Sequence, residues 1–262
     1  MNIFKKYNIK PNKRLGQNFL KNKSIVNKII KAANLKPNDT VIEIGPGLGV
    51  LTKELARITK KVIAIEKDKN ICEILKQELK DYNNIEVIAA DILSYKFQVP
   101  SYKIVANLPF YITSPVIRKL LEEKNKPKEM ILMVQKEVAQ KITAKPPQMS
   151  ILTVSVQVYA KPKILFYVPR DSFQPKPKVD AAVLKITPFL KPGLAKPGLG
   201  LFFKIVKAGF SSPRKQIINN LSKGLKLEKE QTIKWLKQNN IKPAQRAETL
   251  TIQGWKNLTI SF

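Results

Sequence analysis

The sequence lacks histidine altogether and has a single cysteine, Cys72, among its 262 residues. One cysteine excludes a disulfide framework, and without histidine a zinc site or a histidine-based catalytic triad has almost no material. No run approaches the roughly 18 apolar residues of a membrane span, and the N-terminal segment lacks the apolar stretch of a secretory signal. We therefore expect a cytoplasmic protein without membrane or metal partners, whose chemistry depends on amides, carboxylates, aromatic rings or a cofactor.

Acidic residues are also scarce, since 48 Lys and Arg face only 19 Asp and Glu, a formal net charge of +29. Residues 1–38 contain ten basic residues and no acid, and residues 181–262 contain fifteen against three. Residues 41–120, in contrast, contain twelve basic and nine acidic residues. Basic ends around a nearly balanced middle are expected when a small-molecule site is flanked by surfaces that bind a polyanion. A charge that only promotes solubility explains the total better than it explains the acid-free N-terminal segment.

Short β-branched segments alternate with helical patterns through the first two thirds of the chain. The strand-like segments are 40–45, 61–66, 85–91, 103–107 and 129–134, and helical patterns occupy 24–35, 48–58, 69–80 and 116–124. This alternation predicts an α/β fold, a parallel sheet with helices on its faces, and two more strands at 163–168 and 181–186 are close enough to pair antiparallel. Ser24 is expected to cap the first helix.

A Pro- and Gly-rich segment at 187–200 ends this pattern and predicts a linker. Beyond it the periodicity is helical, in segments 201–210, 213–225, 228–239 and 247–258. The sequence therefore predicts two domains. The first comprises residues 1–189, including the basic segment 1–38, and the second is a small, basic, all-α domain of residues 190–262.

A glycine-rich loop, EIGPGLG, follows the first of these strands. Gly45, Gly47 and Gly49 allow a tight turn and a close approach of the backbone to a ligand, and the next helix offers its positive N-terminal end. The Gly-x-Gly-x-Gly spacing departs from the Gly-x-Gly-x-x-Gly pattern of dinucleotide sites. A nicotinamide or flavin cofactor is therefore the less favoured ligand.

Two acids stand at the ends of the next strands, Glu66 after the second and Asp91 after the third. In a doubly wound sheet these carboxyl ends open on one crevice, where acids can accept hydrogen bonds from ribose hydroxyls or an adenine amino group. Each acid alone is more often a capping or solvated residue. Together with the glycine loop they predict a nucleoside-type cofactor.

The fourth strand ends in NLPF, residues 107–110. With the glycine loop and the two acids, this constellation resembles the S-adenosylmethionine-dependent methyltransferases, whose amino-methylating branch carries an (Asn/Asp)-x-Pro-(Tyr/Phe) motif at this place. The resemblance implies a Rossmann-like sheet and S-adenosylmethionine as the cofactor. Alone, an Asn-Leu-Pro-Phe turn is more often a strand exit with an Asx turn.

Methylation of an adenine gives each residue of this turn a physical role. The amino nitrogen of adenine is a poor nucleophile because its lone pair is delocalised into the ring. The side-chain oxygen of Asn107 and the carbonyl of Leu108 can accept its two N–H bonds and draw the nitrogen toward a pyramidal geometry. Phe110 can stack on the base while Pro109 stiffens the turn. No basic side chain is needed, because the alkylated amine is acidic enough to lose its proton to solvent.

Three segments narrow the resemblance: KRLGQNFL (13–20), NLPFYITSP (107–115) and FQPKPKVDAAV (173–183). In this order they are similar to the signatures of the KsgA-type ribosomal RNA adenine dimethyltransferases, over nearly the whole chain. The resemblance implies a cofactor site of Asn18, Leu20, Gly45, Gly47, Glu66, Asp91 and Asn107, and a catalytic set of Asn107, Leu108, Pro109, Phe110 and Phe173. Phe173 is expected to form the second face of an aromatic clamp; without the resemblance it would be interpreted as a core anchor. The candidate RNA-binding residues are Lys13, Arg14, Lys176, Lys178, Arg214 and Lys215.

The implied function is dimethylation of the exocyclic amino group of adenines in small-subunit (16S-type) rRNA, by a monomer acting on an immature small ribosomal subunit. One alternative is the related large-subunit dimethyltransferase of macrolide resistance. Another is a non-catalytic RNA-binding assembly or transcription factor on the same fold. The Pro-Lys-Pro-Lys-Val-Asp string and the Ser-Pro pair after the catalytic turn favour the small-subunit branch. The intact Gly45, Glu66, Asp91 and Asn107 favour an enzyme.

The chain departs from the family pattern in the catalytic turn and near the N-terminus. Phe110 replaces the usual tyrosine, which removes a hydroxyl but keeps the stacking face. Asn22 stands where an acid is common, which puts closure over the cofactor in doubt.

Overall fold

A seven-stranded sheet forms the centre of the first part of the chain, within the residues that the computed structural model describes, 6–9, 11–12, 15–190 and 196–262. Its strands are β2 (Thr40–Ile44), β3 (Lys61–Glu66), β4 (Ile85–Ala89), β5 (Lys103–Asn107), β6 (Met130–Gln135), β7 (Ala160–Val168) and β9 (Ala181–Pro188). They lie in the order β4-β3-β2-β5-β6-β9-β7. The predicted RNA contacts Lys13 and Arg14 lie outside the described residues.

The five neighbouring strands β4, β3, β2, β5 and β6 are parallel to one another, and β9 pairs antiparallel with β6. Helix α1 (Lys23–Ala33) precedes β2, and helices follow four of the parallel strands: α2 (Val50–Ala56) after β2, α3 (Lys69–Glu78) after β3, α4 (Thr113–Glu122) after β5 and α5 (Lys136–Thr143) after β6. The predicted α/β architecture is thus confirmed, and β3 and β5 have the predicted bounds. β7 is a neighbour of β9, as expected.

The central strands of the sheet coincide with continuous runs of buried, mostly apolar residues. Every residue of Met130–Val134 in β6 is buried, as is Val41–Ile44 in β2. Such continuous burial is typical of a parallel sheet covered on both faces. The flanking helices bury one stripe each: in α1 the buried residues are Ile25, Val26, Ile29 and Ala33, at helical spacing. This core fixes the strand ends that form the site.

Two local predictions about helix starts were wrong. Asn22, not Ser24, caps α1: its side chain accepts hydrogen bonds from the backbone N–H groups of Ser24 (3.0 Å) and Ile25 (3.3 Å). An amide at this position therefore serves the helix. Helix α4 begins at Thr113, so Pro115 lies in its first turn, where a missing N–H leaves no hydrogen bond unmade.

A short second sheet pairs β1 (Phe19–Leu20) antiparallel with β8 (Phe173–Gln174). Phe19 lies opposite Gln174, and Leu20 lies opposite Phe173. The backbone N–H of Lys21 also donates to the carbonyl of Ser172 at 2.9 Å. Neither strand was predicted, because two residues carry no periodicity.

The chain divides into two compact units, Met1–Ala139 with Lys163–Pro188, and Gln140–Pro162 with Phe189–Phe262. The sequence placed the boundary after residue 189 and kept 140–162 in the first domain, whereas the structure groups that segment with the second unit. The second unit is helical, with α6 (Ile151–Gln157), α7 (Lys196–Gly209), α8 (Ile217–Leu225), α9 (Lys229–Gln238) and α10 (Ile252–Ile260). Part of the predicted linker is therefore helix, since α7 begins at Lys196.

Large aromatic side chains form part of the buried core of the second unit. Trp255 is fully buried and stacks on Phe210, with ring centroids 5.5 Å apart. Gly209 is required there, because a Cβ atom would lie 2.4 Å from the Trp255 ring. Among the described residues, no helix is long and apolar enough to cross a membrane.

Candidate active site

A cavity of about 660 Å³ opens at the carboxyl ends of the parallel strands of the first unit. Ligands bind at this edge of open α/β sheets because the loops after the strands converge there. The cavity is lined by five segments and four single residues: 15–21, 43–48, 65–67, 90–93 and 107–112, with Lys23, Val50, Leu51 and Gln174. The cavity therefore brings together the predicted cofactor and catalytic residues, apart from Phe173.

The glycine loop adopts a backbone that only glycine accepts readily. Gly45, Gly47 and Gly49 have φ angles of 66°, 57° and 76°. A Cβ atom on Gly47 would lie 2.9 Å from the ring of Phe19, and one on Gly49 would lie 2.8 Å from Leu75. The loop is thus held between β1 and α3, with its backbone facing the cavity.

Glu66 holds this loop with its carboxylate. Its Oε1 accepts hydrogen bonds from the backbone N–H groups of Lys67 (2.8 Å) and Asp68 (3.0 Å). Its Oε2 accepts a longer one, 3.4 Å, from Gly47. Burial raises the pKa of Glu66, while these three N–H donors act in the opposite direction. Oε2 is consequently the atom with capacity left for a ligand hydroxyl.

Asp91 lies at the next strand end and is paired with a lysine. Its Oδ2 is 2.8 Å from Nζ of Lys67, and its Oδ1 accepts a hydrogen bond from the backbone N–H of Leu93 at 2.9 Å. The Lys67 ammonium holds the pKa of Asp91 below its usual value, and the Leu93 donor adds to this. A ligand amino group at Asp91 would share this carboxylate with Lys67.

Asn107 is oriented by a residue from the N-terminal part of the chain. Its Nδ2 donates a hydrogen bond to the backbone carbonyl of Asn18 at 3.1 Å. The side chain of Asn18 in turn donates to the carbonyl of Gly16 at 3.1 Å. This bond fixes which end of the amide carries the NH₂ group, so Oδ1 of Asn107 is left as the acceptor for a hydrogen bond from a ligand.

The rest of the catalytic turn is rigidly placed. The N–H of Leu108 donates to the carbonyl of Met133 at 3.1 Å, and the Leu108 side chain is buried. Pro109 precedes the 3₁₀ turn Phe110–Ile112 and packs on the glycine loop, where a Cβ atom on Gly45 would lie 3.5 Å from its Cδ. Phe110 is half-buried and packs against a core cluster that includes Leu20, Val105 and Met133.

Residues 15–20, which we call the strap, contribute one wall of the cavity. Gln17 donates from Nε2 to Oδ2 of Asp68 at 2.9 Å, and Phe19 packs on Gly47. Upstream, Nζ of Lys6 and the hydroxyl of Tyr7 both bind Oε1 of Glu78, at 2.7 and 2.9 Å. The N-terminal segment is therefore attached to α3 at both ends of that helix.

The structure requires a correction for Phe173. Its side chain is 1% exposed, packs in the same core cluster that Phe110 contacts and does not line the cavity. The β1–β8 pairing explains this, because it places Phe173 opposite Leu20, whose side chain is buried in the same cluster. In this structure Phe173 is a core anchor, and an open ring face for an aromatic clamp is not present at that residue.

The sequence analysis missed Glu43, a buried carboxyl in the cavity wall. Glu43 is 1% exposed, and its Oε2 has no hydrogen-bond partner among the described residues. Burial raises its pKa to about 8, and the neighbouring Glu66 carboxylate adds to the shift. An acid inside the apolar strand segment TVIEIG was a usable signal, because a carboxyl group is rarely buried without a functional reason.

The candidate RNA-binding residues stand on exposed surfaces. Lys176 and Lys178 are exposed in the segment after β8, and Lys176 pairs with Asp171. Arg214 and Lys215 are exposed in the turn between α7 and α8, not in a helix as the sequence suggested. No described residue forms an ion pair with either of them. In the described part of the chain, no group of three or more Cys, Asp or Glu side chains is placed to hold a metal ion.

Comparisons with known proteins give a consistent result. The family described as "Ribosomal RNA adenine dimethylase" matches residues 8–259. Ribosomal RNA small subunit methyltransferase A of Dehalococcoides mccartyi (strain BAV1) is 44% identical over 98% of this chain and 90% of its own length. The protein of the same name from Clostridium botulinum (strain Okra) is 43% identical over 98% of this chain and 96% of its own length.

Two solved structures share the fold over nearly the full length. A dimethyladenosine transferase from Plasmodium falciparum has a TM-score of 0.79 and 30% identity, covering 92% of this chain and 95% of its own. The 23S rRNA methyltransferase ErmE has a TM-score of 0.77 and 27% identity, covering 93% and 99%. The Rossmann-like methyltransferase sheet and the C-terminal helical region are thereby confirmed.

Proposed function

The chain belongs to the ribosomal RNA adenine dimethylase family, and we propose that it dimethylates the exocyclic amino group of adenines in small-subunit rRNA. The relatives that are 43–44% identical over almost the whole chain are named for the small subunit. We propose that it acts as a monomer, on an immature small subunit, in the cytoplasm where bacterial ribosomes are assembled. The observation that carries the catalytic part is the orientation of Asn107.

The cavity fits S-adenosylmethionine by its size, its glycine loop and its acids. A volume of about 660 Å³ lies within the range of small-ligand sites. Gly45 and Gly47 line the cavity, and a Cβ atom on either would stand against protein, Pro109 for Gly45 and Phe19 for Gly47, so the loop can keep this close packing only with glycine. The carboxyl of Glu43 has an oxygen without a partner in the same wall. Bound S-adenosylmethionine supplies an electrophilic methyl group.

Glu66 and Asp91 are proposed to bind the nucleoside part of the cofactor. Oε2 of Glu66 accepts a hydrogen bond from a ribose hydroxyl, because Oε1 of the same carboxylate already accepts two backbone N–H bonds. Asp91 accepts a hydrogen bond from the adenine amino group, on the carboxylate that it shares with Lys67. Asn18 and Leu20 of the strap, with Gly45 and Gly47, form the walls around the cofactor.

Asn107 and Leu108 are proposed to orient the target amine. Oδ1 of Asn107 accepts one N–H bond of the amine and the Leu108 carbonyl accepts the other, which directs the nitrogen lone pair toward the methyl donor. Pro109 fixes the turn, and Phe110 covers one face of the base. The proton released on methylation passes to solvent. This scheme requires no histidine, and the sequence contains none.

Binding of the RNA is assigned to basic surfaces in both units. Lys176 and Lys178 in the first unit and Arg214 and Lys215 in the second are exposed and can contact phosphates. Lys13 and Arg14 are proposed for the same role from the sequence alone. These contacts would offset part of the few kcal/mol needed to extract a base from its stack.

The large-subunit activity is the second candidate, since the structural match to the 23S rRNA methyltransferase ErmE nearly equals that to the dimethyladenosine transferase. Incubating the protein with tritiated S-adenosylmethionine and either immature small subunits or large-subunit RNA separates the two. We expect label on adenines of the small-subunit RNA. Label confined to large-subunit RNA would replace the proposal by the second candidate. Label on neither RNA, with S-adenosylmethionine bound, would favour a non-catalytic factor.

A further inference from the structure

Tyr111 presents an open aromatic ring at the mouth of the cavity, directly after the catalytic turn. The residue is 51% exposed although its side chain lines the cavity. Among the described residues, its ring stacks on no other aromatic ring and its hydroxyl forms no hydrogen bond. The roles assigned above to the cofactor and catalytic residues make no use of this ring.

Contact with the strap fixes the position of this ring. Gly16 has a φ angle of 59°, and a Cβ atom there would lie 3.1 Å from Cδ1 and 3.5 Å from Cε1 of Tyr111. One edge of the ring therefore rests on the backbone of Gly16, while much of the rest faces solvent. A ring held on one side and open on the other is pre-organised for stacking, because little side-chain freedom is lost when a partner binds.

The other aromatic residues that line the cavity have no comparable open face. Phe19 is 9% exposed, and Phe110 is half-buried against a core cluster. Phe173, which does not line the cavity, is 1% exposed. When an adenine leaves its stack to reach an active site, the neighbouring bases lose a stacking partner as well. Exposed aromatic side chains restore such contacts, since every base has a π-face.

We propose that Tyr111 is the stacking platform for an RNA base that flanks the target adenine at the entrance of the cavity. The flanking base is favoured over the target itself, because Phe110 lies deeper, next to Leu108 and Asn107, and Tyr111 lies at the mouth. The inference rests on the proposed function, since it requires that an adenine reaches Asn107. Stacking of this kind adds affinity for RNA without selecting a particular base.

The test uses Tyr111→Ala and Tyr111→Phe in steady-state methylation of small-subunit RNA. We expect Tyr111→Ala to raise the KM for RNA by about 5- to 150-fold, the range for loss of one base–aromatic stack. Its kcat should change little, because the ring does not touch the reacting amine. Tyr111→Phe should keep the KM within about twofold of the parent, since it retains the ring. The dissociation constant for S-adenosylmethionine, measured by calorimetry, should be unchanged in both variants.

Tyr167→Ala is the matched control. Tyr167 is 49% exposed in the same unit, does not line the cavity, and has Nζ of Lys136 5.2 Å from its ring centroid. An unchanged KM in Tyr111→Ala, or an equal rise in Tyr167→Ala, would overturn the proposal. So would an equal loss in Tyr111→Phe, or a loss of S-adenosylmethionine affinity as large as the loss for RNA, which would mean that the ring covers the cofactor.

Filter binding of small-subunit RNA by the same variants keeps this test separate from the proposed function. If the parent protein transferred no methyl group, the proposed function would fail. The ratio of RNA affinities of the parent and Tyr111→Ala would still decide whether the ring contacts RNA. A ratio near one would reject the platform, and a ratio in the expected range would support it.

Discussion

The cavity of the first unit and the exposed surface of the second unit use charge in opposite ways. In the cavity, Glu43 and Glu66 are acids whose pKa values are raised by burial, and each stands at a fixed place in the wall. Residues 189–262 carry fourteen Lys and Arg against three acids, and cations such as Arg214 and Lys215 are exposed. Buried groups act over short distances and are little screened by salt, whereas exposed cations act through a field that salt weakens. Small-molecule chemistry and RNA binding should therefore respond to different experiments.

The largest expected effect comes from the catalytic amide. Asn107→Ala should lower methyl transfer by about 10²- to 10³-fold, the range for loss of one positioned group that acts in the transition state. Affinity for S-adenosylmethionine should stay within a few fold, because Oδ1 acts mainly on the target amine. Single-turnover transfer to small-subunit RNA measures the first quantity, and calorimetry the second. Exposed Asn27 in α1 provides the control Asn27→Ala. Turnover near that of the parent would show that the turn has been misinterpreted.

Glu66→Ala should weaken cofactor binding next most strongly. Loss of hydrogen bonds to a charged acceptor is worth about 1.5–3 kcal/mol, so the dissociation constant for S-adenosylmethionine should rise by roughly 10- to 150-fold. The control is Glu86→Ala, which removes an exposed acid paired with Lys61 in the neighbouring strand. Calorimetric titration of both variants, after thermal unfolding has shown that each is folded, decides the matter. Equal constants for the parent and Glu66→Ala would remove Glu66 from the cofactor site.

Glu43 should make stability depend on pH. Because the folded-state pKa is about 8, against 4.5 for the free group, the folded protein keeps a proton that the unfolded chain has lost. Stability therefore falls as pH rises between these values, with a slope of at most about 1.4 kcal/mol per pH unit. Glu43→Gln should flatten this dependence in urea unfolding at pH 5 to 8. If the free energy of unfolding depended on pH in the same way in variant and parent, Glu43 would not be the group that keeps a proton in the folded protein.

The basic surface of the second unit should give the smallest effect. Replacing Arg214 and Lys215 with Ala should reduce the slope of log affinity for RNA against log salt by roughly one to two units. Over a twofold change in salt this alters affinity by about two- to fourfold. Binding of S-adenosylmethionine should not change. Filter binding over a salt series is the measurement, and equal slopes would show that these two residues do not contact phosphates.

Periodic segments were predictable from the sequence, and long-range pairings were not. β3 and β5 have the predicted bounds because continuous apolar runs between turn residues define buried strands. Helices α5 and α6 were not predicted, and the β1–β8 pairing left no local pattern at all. Phe173 illustrates the consequence for the site: its burial depends on Leu20, which lies far away in the sequence.

The sequence motifs identified residues that line the cavity. They did not show which partners those residues bind within the protein. The strand-end position of Glu66 and Asp91 followed from alternation alone. The bond from Asn107 to the carbonyl of Asn18, and the pairing of Asp91 with Lys67, depend on tertiary geometry. Glu43 had a visible signal, a carboxyl in an apolar strand, which sequence reasoning passed over.

The pairing of β1 with β8 has a consequence for the order in which the protein becomes active during synthesis. The strap leaves the ribosome among the first residues, yet its strand partner, Phe173–Gln174, is translated about 150 residues later. Contacts of such sequence separation form late, because the intervening chain must be closed into a loop first. The amide of Asn107 is oriented by that same strap. A nascent chain shorter than about 175 residues therefore has its glycine loop, its catalytic turn and its strap but not the strand that pairs with the strap, and we expect methyl transfer to begin only after translation has passed that point.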